Sequence, residues 1–409
     1  MQSSDVVHHA PWVLPGHLPA ISDGGVAVRS GRIIAVGRFD EIVATVTHDA
    51  VIDHPDSALL PPLVNAHTHL ELSHLAHLAL QPPPATFTGW IENMLNERAK
   101  SGFNNEAVQE ASRNSLAEQQ LDGVIAIGDI SNTGLTRELS SDFMGRLFCF
   151  KEYLGLRASG VEPLLQELQA EAEQNFCTAH APYSTHADLL CALKDRATRF
   201  GHVFPVHVAE PVAESEMMSR GRGEIPEFLR RRGFWDDSFQ PTGIDNSGSV
   251  QYLHQLGLLD DKTLCVHCIH VSDQEIELLV QAGSRVCLCP GSNRYLGVGK
   301  APVAKYLQNG ILPALGTDSL ASNPEISIWR EMQLLAEDHP GINPADIVAM
   351  ATAGGAYALS LDTETGTLEP GKQAAFLAVL LPDTVKNISD VYDYLVTTGS
   401  SMHPQLIIS

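Results

Sequence analysis

The stretch "LPPLVNAHTHLELSHL", Leu60–Leu75, decides how the rest of the chain is read. An apolar run through Leu63 and Val64 leads into His67-Thr68-His69. In a strand, residues two apart point to the same face, so both imidazoles are aimed one way where the run stops. Two histidines so placed form half of a metal site; in a chain with 18 histidines they also fit a pair on a surface loop.

Working outward, seven further apolar runs follow the same plan. They are "GVIAIGDIS" near Asp129, "GRLFCFKEYL" near Glu152, "NFCTAHAP" near His180, "HVFPVHVAE" near His207, "TLCVHCIH" near His267, "SRVCLCPGSN" near Pro290 and "GILPALGTDS" near Asp318. Nearly all end in a polar or ionisable residue. Helical patterns such as "NEAVQEASRNSLAEQQLDG" lie between them, with apolar residues at three- and four-residue steps. Eight βα units predict a (β/α)8 barrel, whose active site lies at the C-terminal ends of its strands. The ends of the chain read differently. "GGVAVRSGRIIAVGRFDEI" is a hairpin pattern about Ser30-Gly31, and "GTLEPGKQAAFLAVLL" and "QLIIS" return to strands and turns. The expected organisation is a small β-sandwich-like domain from residues 1–58 plus 360–409, and a barrel over residues 59–359. The long segment Glu214–Ser249 reads equally as a cover over the barrel mouth or as a packing excursion.

Composition narrows the function. The 409 residues are 44% hydrophobic and 18% charged, with a formal net charge of -23. Such acidity opposes binding to a nucleic-acid backbone. No run approaches the roughly 18 apolar residues of a membrane span, and "MQSSDVVHHAPWVLPG" has no signal-peptide pattern. A cytoplasmic location is expected. Seven cysteines, mostly in apolar runs, read as buried free thiols; Cys265, Cys268, Cys287 and Cys289 mimic a zinc ribbon only in spacing, since ribbon cysteines occupy polar, Gly-rich turns.

His67, His69, His207, His267 and Asp318 all fall at predicted strand ends, in a donor set that suits zinc or ferrous iron with a position left for water. With "SGRIIAVG", "VNAHTHLELS", "HAPYST", "HVAE", "VHC", "PGSN", "GTDSLASN" and "GTLEPGKQA" spread over nearly the whole length, the chain resembles the amidohydrolase superfamily, in its aminohydrolase (deaminase) branch. The resemblance implies one divalent ion, Zn2+ or Fe2+, held by His67, His69, His207 and Asp318, with Glu210 and His267 acting on the substrate. Two-metal members carry a lysine, commonly at the fourth strand; "TAHAPYST" has none, which favours a single ion. A metal lowers the pKa of water toward about 7, so metal-hydroxide attack on a cyclic amidine carbon is the expected chemistry. Glu210 then moves protons, His267 stabilises the attacking oxygen and Asp318 both ligates and orients.

"FTGWI", "FKEYLG" and "CPGSNRYL" are similar to aminodeoxyfutalosine deaminases of menaquinone biosynthesis, implying a benzoate-bearing adenine nucleoside as substrate. On that reading Arg294 meets the carboxylate, Trp90 stacks on an aromatic group and His180 lies near the substrate. Deamination of methylthioadenosine, S-adenosylhomocysteine or guanine, and triazine-type C–N or C–Cl hydrolysis, use the same chemistry. A binding protein on a degenerate barrel would lack ligands, and none is missing. The expected partner is a small purine nucleoside-like molecule, with neither nucleic acid nor membrane; a homodimer is a possible assembly.

Overall fold

The computed structural model describes residues 5–16, 18–244 and 247–409. The eight apolar runs become eight parallel strands, Leu63–Thr68, Val124–Ser131, Arg146–Tyr153, Phe176–Ala179, Phe204–Val208, Thr263–His267, Arg285–Leu288 and Ala314–Leu315, here called the first to eighth barrel strands. The first four hydrogen-bond side by side, as do the last four. Strand-end contacts close the two seams. The amide of Asp318 donates to the carbonyl of His67 at 3.1 Å, and that of His207 to the carbonyl of His180 at 2.9 Å. Every residue of the first, fifth and sixth strands is buried, as expected of parallel strands covered on both faces. The residues that join the seams are therefore the same strand-end residues that carry the chemistry.

Local signals fix the surrounding helices. Asp273–Ala282 starts on a capping box between Ser272 and Glu275 and stops at Gly283, whose φ of 68° ends the helix in the left-handed region. None of the seven cysteines forms a disulfide, and the four with zinc-ribbon spacing are buried. No helix among the described residues is long and apolar enough to cross a membrane.

Strands from both chain ends join in one sheet: Val6–Val13, Ile21–Arg29, Arg32–Arg38, Ala50–Asp53, Ser57–Leu60, Ala375–Leu380 and Gln405–Ile408. Ser30 and Gly31, at φ 51° and 75°, make the hairpin turn with two left-handed residues that suits the twist of its strands. Leu59 pairs with Ala378, tying the two ends together. The seven strands form a single hydrogen-bonded sheet in place of two facing ones, because Val6–Val13 pairs along one edge with Ala50–Asp53 and then with Ser57–Leu60. Nor are the last fifty residues all β: the helix Ile388–Thr397 buries Val391, Leu395 and Val396 in the same apolar cluster as Trp329 and Ile347.

Candidate metal centre and active site

Four donors converge at the two seams. His69 Nε2 lies 3.3 Å from His207 Nε2, and Asp318 Oδ1 lies 3.4 Å from His69 Nε2 and 3.8 Å from His67 Nε2. The other ends of these groups are already engaged. His207 Nδ1–H donates to the carbonyl of His180 at 2.7 Å, so its Nε2 carries the lone pair. Asp318 Oδ2 accepts from Ser292 Oγ at 2.6 Å and Ser322 Oγ at 3.0 Å, leaving Oδ1 to face the imidazoles. His67 is fully buried, with neither ring nitrogen hydrogen-bonded among the described residues. Buried polar atoms left unpaired are rare and costly; three imidazoles and a carboxylate are a donor set that would hold a divalent ion such as zinc. Burial, with neighbouring imidazoles, holds His69 down at about 3 and His207 well below its usual value. Neutral rings are the form that ligates. When bound, the ion supplies the Lewis acidity that makes water nucleophilic near neutral pH.

Beside these donors, His267 Nδ1 shares a 3.0 Å hydrogen bond with Asn293 Oδ1. Its Nε2 is 3.8 Å from Glu210 Oε1. Burial first, then the charges of Asp318 and Glu214, push the Glu210 carboxyl well above its ordinary value. The Glu210 amide is fixed by Glu214 Oε2 at 2.9 Å, and Glu214 in turn by Ser249 Oγ. Ala209, His267, Cys268 and Asp318 all have φ between 45° and 72°. Non-glycine residues are strained there, and such strain gathers where surrounding structure enforces it; here it turns strand-end side chains into the barrel mouth.

Gly316 shows how closely the eighth strand approaches the first. A Cβ there would stand 2.7 Å from the His67 carbonyl oxygen and 2.9 Å from Cys287 Sγ. Gly316→Ala is expected to cost about 1–3 kcal/mol of stability through overpacking, and to lower zinc occupancy by displacing His67 and Asp318. Thermal melting with metal analysis of the purified variant checks both.

A cavity of about 360 Å³ opens from the donors. Glu210, His267, His69, His207 and Asp318 line its floor, and His180 and Trp90 line it as well. Trp90 Nε1 donates to the carbonyl of Ala321 at 3.4 Å. Phe228, Leu229 and Phe234 bring the Glu214–Ser249 segment over the cavity, apart from residues 245 and 246, which lie outside the described residues. Arg294 is not brought there. It sits on Pro290–Leu296 with its guanidinium held by Glu337 at 2.7 Å and Asp338 at 2.8 Å. The sequence assigns no role to two further cavity residues, although one of them, Glu152, ends the third apolar run. Arg157, exposed, donates to the Gly233 carbonyl at 3.4 Å and makes no ion pair among the described residues. Glu152 is buried at the end of the third strand.

A (β/α)8 barrel whose strand ends present three imidazoles, a carboxylate and a buried glutamate defines a metal-dependent hydrolase. Residues 58–400 match the Amidohydrolase family, and the chain belongs to it. A 5-methylthioadenosine/S-adenosylhomocysteine deaminase of Moorella thermoacetica is 29% identical over 388 residues, 90% of this chain and 83% of that protein. In fold, the chain is similar to Helicobacter pylori aminofutalosine deaminase, with TM-score 0.81, 22% identity and coverage of 99% and 98% of the two chains. It is also similar to a zinc-bound adenosine deaminase from Xanthomonas campestris, at TM-score 0.77 and 21% identity over 99% and 92%.

Proposed function

We propose that this chain hydrolytically deaminates a 5'-substituted adenine nucleoside, with aminodeoxyfutalosine as the leading substrate and one Zn2+, or Fe2+, held by His67, His69, His207 and Asp318. The observation that carries the substrate reading is the lining of the cavity, which combines the apolar side chains of Phe87, Trp90, Ile91, Phe228 and Phe234 with Arg157. An aryl carboxylate matches both parts, its ring against the apolar side chains and its charge against a guanidinium that no carboxylate among the described residues occupies.

The residues divide the chemistry. With Nδ1–H given to Asn293, His267 Nε2 accepts a hydrogen bond from the attacking water and orients it toward C6 of the adenine. Glu210 passes one proton of the attacking water to ring N1 as the oxygen adds; it then takes the remaining proton from that oxygen and gives it to the amine as the C6–N bond breaks, so that ammonia leaves and a 6-oxo nucleoside remains. The fixed turn of Ala209 and Glu210 on Glu214 keeps that carboxyl near both positions.

Ammonia release from zinc- and iron-loaded protein on aminodeoxyfutalosine, methylthioadenosine, S-adenosylhomocysteine, adenosine and guanine tests the reading, with the highest kcat/KM expected for aminodeoxyfutalosine. A higher value for methylthioadenosine would favour the second reading, to which the Moorella relative lends support. Arg157→Met keeps the apolar stem and removes the charge. It is expected to lower kcat/KM for aminodeoxyfutalosine about tenfold, the scale of a charged hydrogen bond, and to leave uncharged methylthioadenosine within about twofold. Equal losses on both would take Arg157 out of carboxylate recognition.

A further inference from the structure

We infer that Glu152 is the sugar-binding residue of the site: with His180 it accepts hydrogen bonds from two neighbouring hydroxyls of the nucleoside, an assignment that rests on the deaminase reading above. Glu152 is only 7% exposed, yet it lines the cavity. Its Oε2 accepts from Asn132 Nδ2 at 2.5 Å, while its Oε1 has no hydrogen-bond partner among the described residues.

A buried network makes this arrangement. Arg98 donates both to Glu71 and to Asn132 Oδ1. The Asn132 amide N–H donates to Glu71 Oε1 at 2.9 Å. Ser131 Oγ at 2.7 Å and Thr133 Oγ1 at 2.9 Å complete the shell of Glu71 on Oε2. With Oδ1 taken by Arg98, Asn132 can turn only its NH2 toward Glu152, which commits Oε2 and leaves Oε1 unpaired. A buried carboxylate oxygen left without a partner on a cavity-lining residue is a place that a ligand's donor can fill.

The neighbours say what ligand. Glu152, His180 and His207 each place a donor atom within 4.8 Å of the others. This triad is not a second metal site, because His207 Nδ1 is committed to the His180 carbonyl, which leaves two donors. His180 Nδ1 meets Ser184 Oγ at 2.6 Å, and that hydroxyl donates to the Ala181 carbonyl at 3.1 Å. Ser184 therefore accepts from Nδ1–H, and His180 Nε2 is left as an acceptor. Two acceptors side by side call for two adjacent donors, which a vicinal diol supplies. Their place fits as well: Glu152 Oε1 is 3.9 Å from His207 Nδ1, the edge of the ring away from His69. A base engaged by Glu210 and His267 would extend its sugar past that edge, leaving the 5' substituent to the apolar side chains and Arg157.

The test uses zinc-loaded full-length protein with adenosine, 2'-deoxyadenosine and 3'-deoxyadenosine as probes. In the wild type, removing either hydroxyl is expected to lower kcat/KM by roughly tenfold to a hundredfold. Glu152→Gln presents a donor where the acceptor stood; it should lower kcat/KM for adenosine by a similar factor, mainly through KM, and for the deoxy compounds far less. Asn132→Ser, which releases Oε2 without touching the cavity floor, should weaken the same discrimination and serves if Glu152→Gln folds poorly. Equal factors on all three nucleosides in both variants, or a wild type indifferent to the hydroxyls, would overturn the assignment while the deaminase reading stands. No turnover of any nucleoside would overturn both.

Discussion

Glu210→Gln is expected to hold zinc at the wild-type stoichiometry and to lose roughly 10²–10⁴-fold in kcat, the range of a positioned general acid–base group. The two halves of that expectation come from different distances. Glu210 is not among the atoms that meet at the His69–His207 contact; it faces His267 Nε2 at 3.8 Å, one residue beyond the cluster. A glutamine fills the same space and keeps the backbone bond from residue 210 to Glu214, so the donors and KM should change little. What it lacks is a transferable proton. Single-turnover kinetics alongside metal analysis separate these effects. A variant with near-normal turnover would pass the proton shuttle to another group, and one that lost its zinc would make Glu210 part of the metal centre.

The barrel was legible because burial on both faces leaves a parallel strand little freedom. Its residues must be apolar until the chain reaches the mouth, so the polar residue ending each run marks both register and site. His67, His69, His207, His267 and Asp318 were read from that rule, and the structure brings them together. Arg294 shows where the rule stops. It follows Ser292 and Asn293, which face Asp318 and His267, but the three lie on a helix. Successive helical residues turn by about 100°, and the third is carried outward to Glu337 and Asp338. Arg157 and Glu152 have no role in the sequence for the opposite reason, although Glu152 obeys the rule in ending the third strand. Arg157 sits in a loop held by an excursion about eighty residues later, with the Ala158 amide on Asp236 Oδ2 at 2.6 Å. Glu152 gains meaning only through Glu71, Arg98 and Asn132, from three separate parts of the chain. The left-handed backbone at His267 and Asp318 likewise has no glycine to announce it.

Asp318→Asn is expected to be the most damaging conservative change in the centre, lowering zinc affinity by at least about a hundredfold, beyond what loss of a supporting contact costs a metal site. The residue does three things at once. Its backbone amide closes the barrel seam on the His67 carbonyl, its Oδ2 collects the hydroxyls of Ser292 and Ser322, and its Oδ1 faces His67 and His69. Asparagine preserves the seam and can keep its oxygen for the two serines, but that choice points an NH2 at the imidazoles where the anionic oxygen stood. Turning the amide over restores a neutral ligand and sets the NH2 against the hydroxyls. Either way the charge that balances a divalent ion among three neutral rings is gone. Because a ligand that binds only the folded state stabilises it in proportion to the logarithm of its affinity, a hundredfold loss removes about 2.7 kcal/mol of zinc-derived stability. The rise in Tm on adding zinc should shrink accordingly, while the apo proteins melt near one another. A variant that binds zinc as tightly as the wild type but turns nothing over would instead make Asp318 a proton-handling partner of Glu210, leaving the ion to the three histidines.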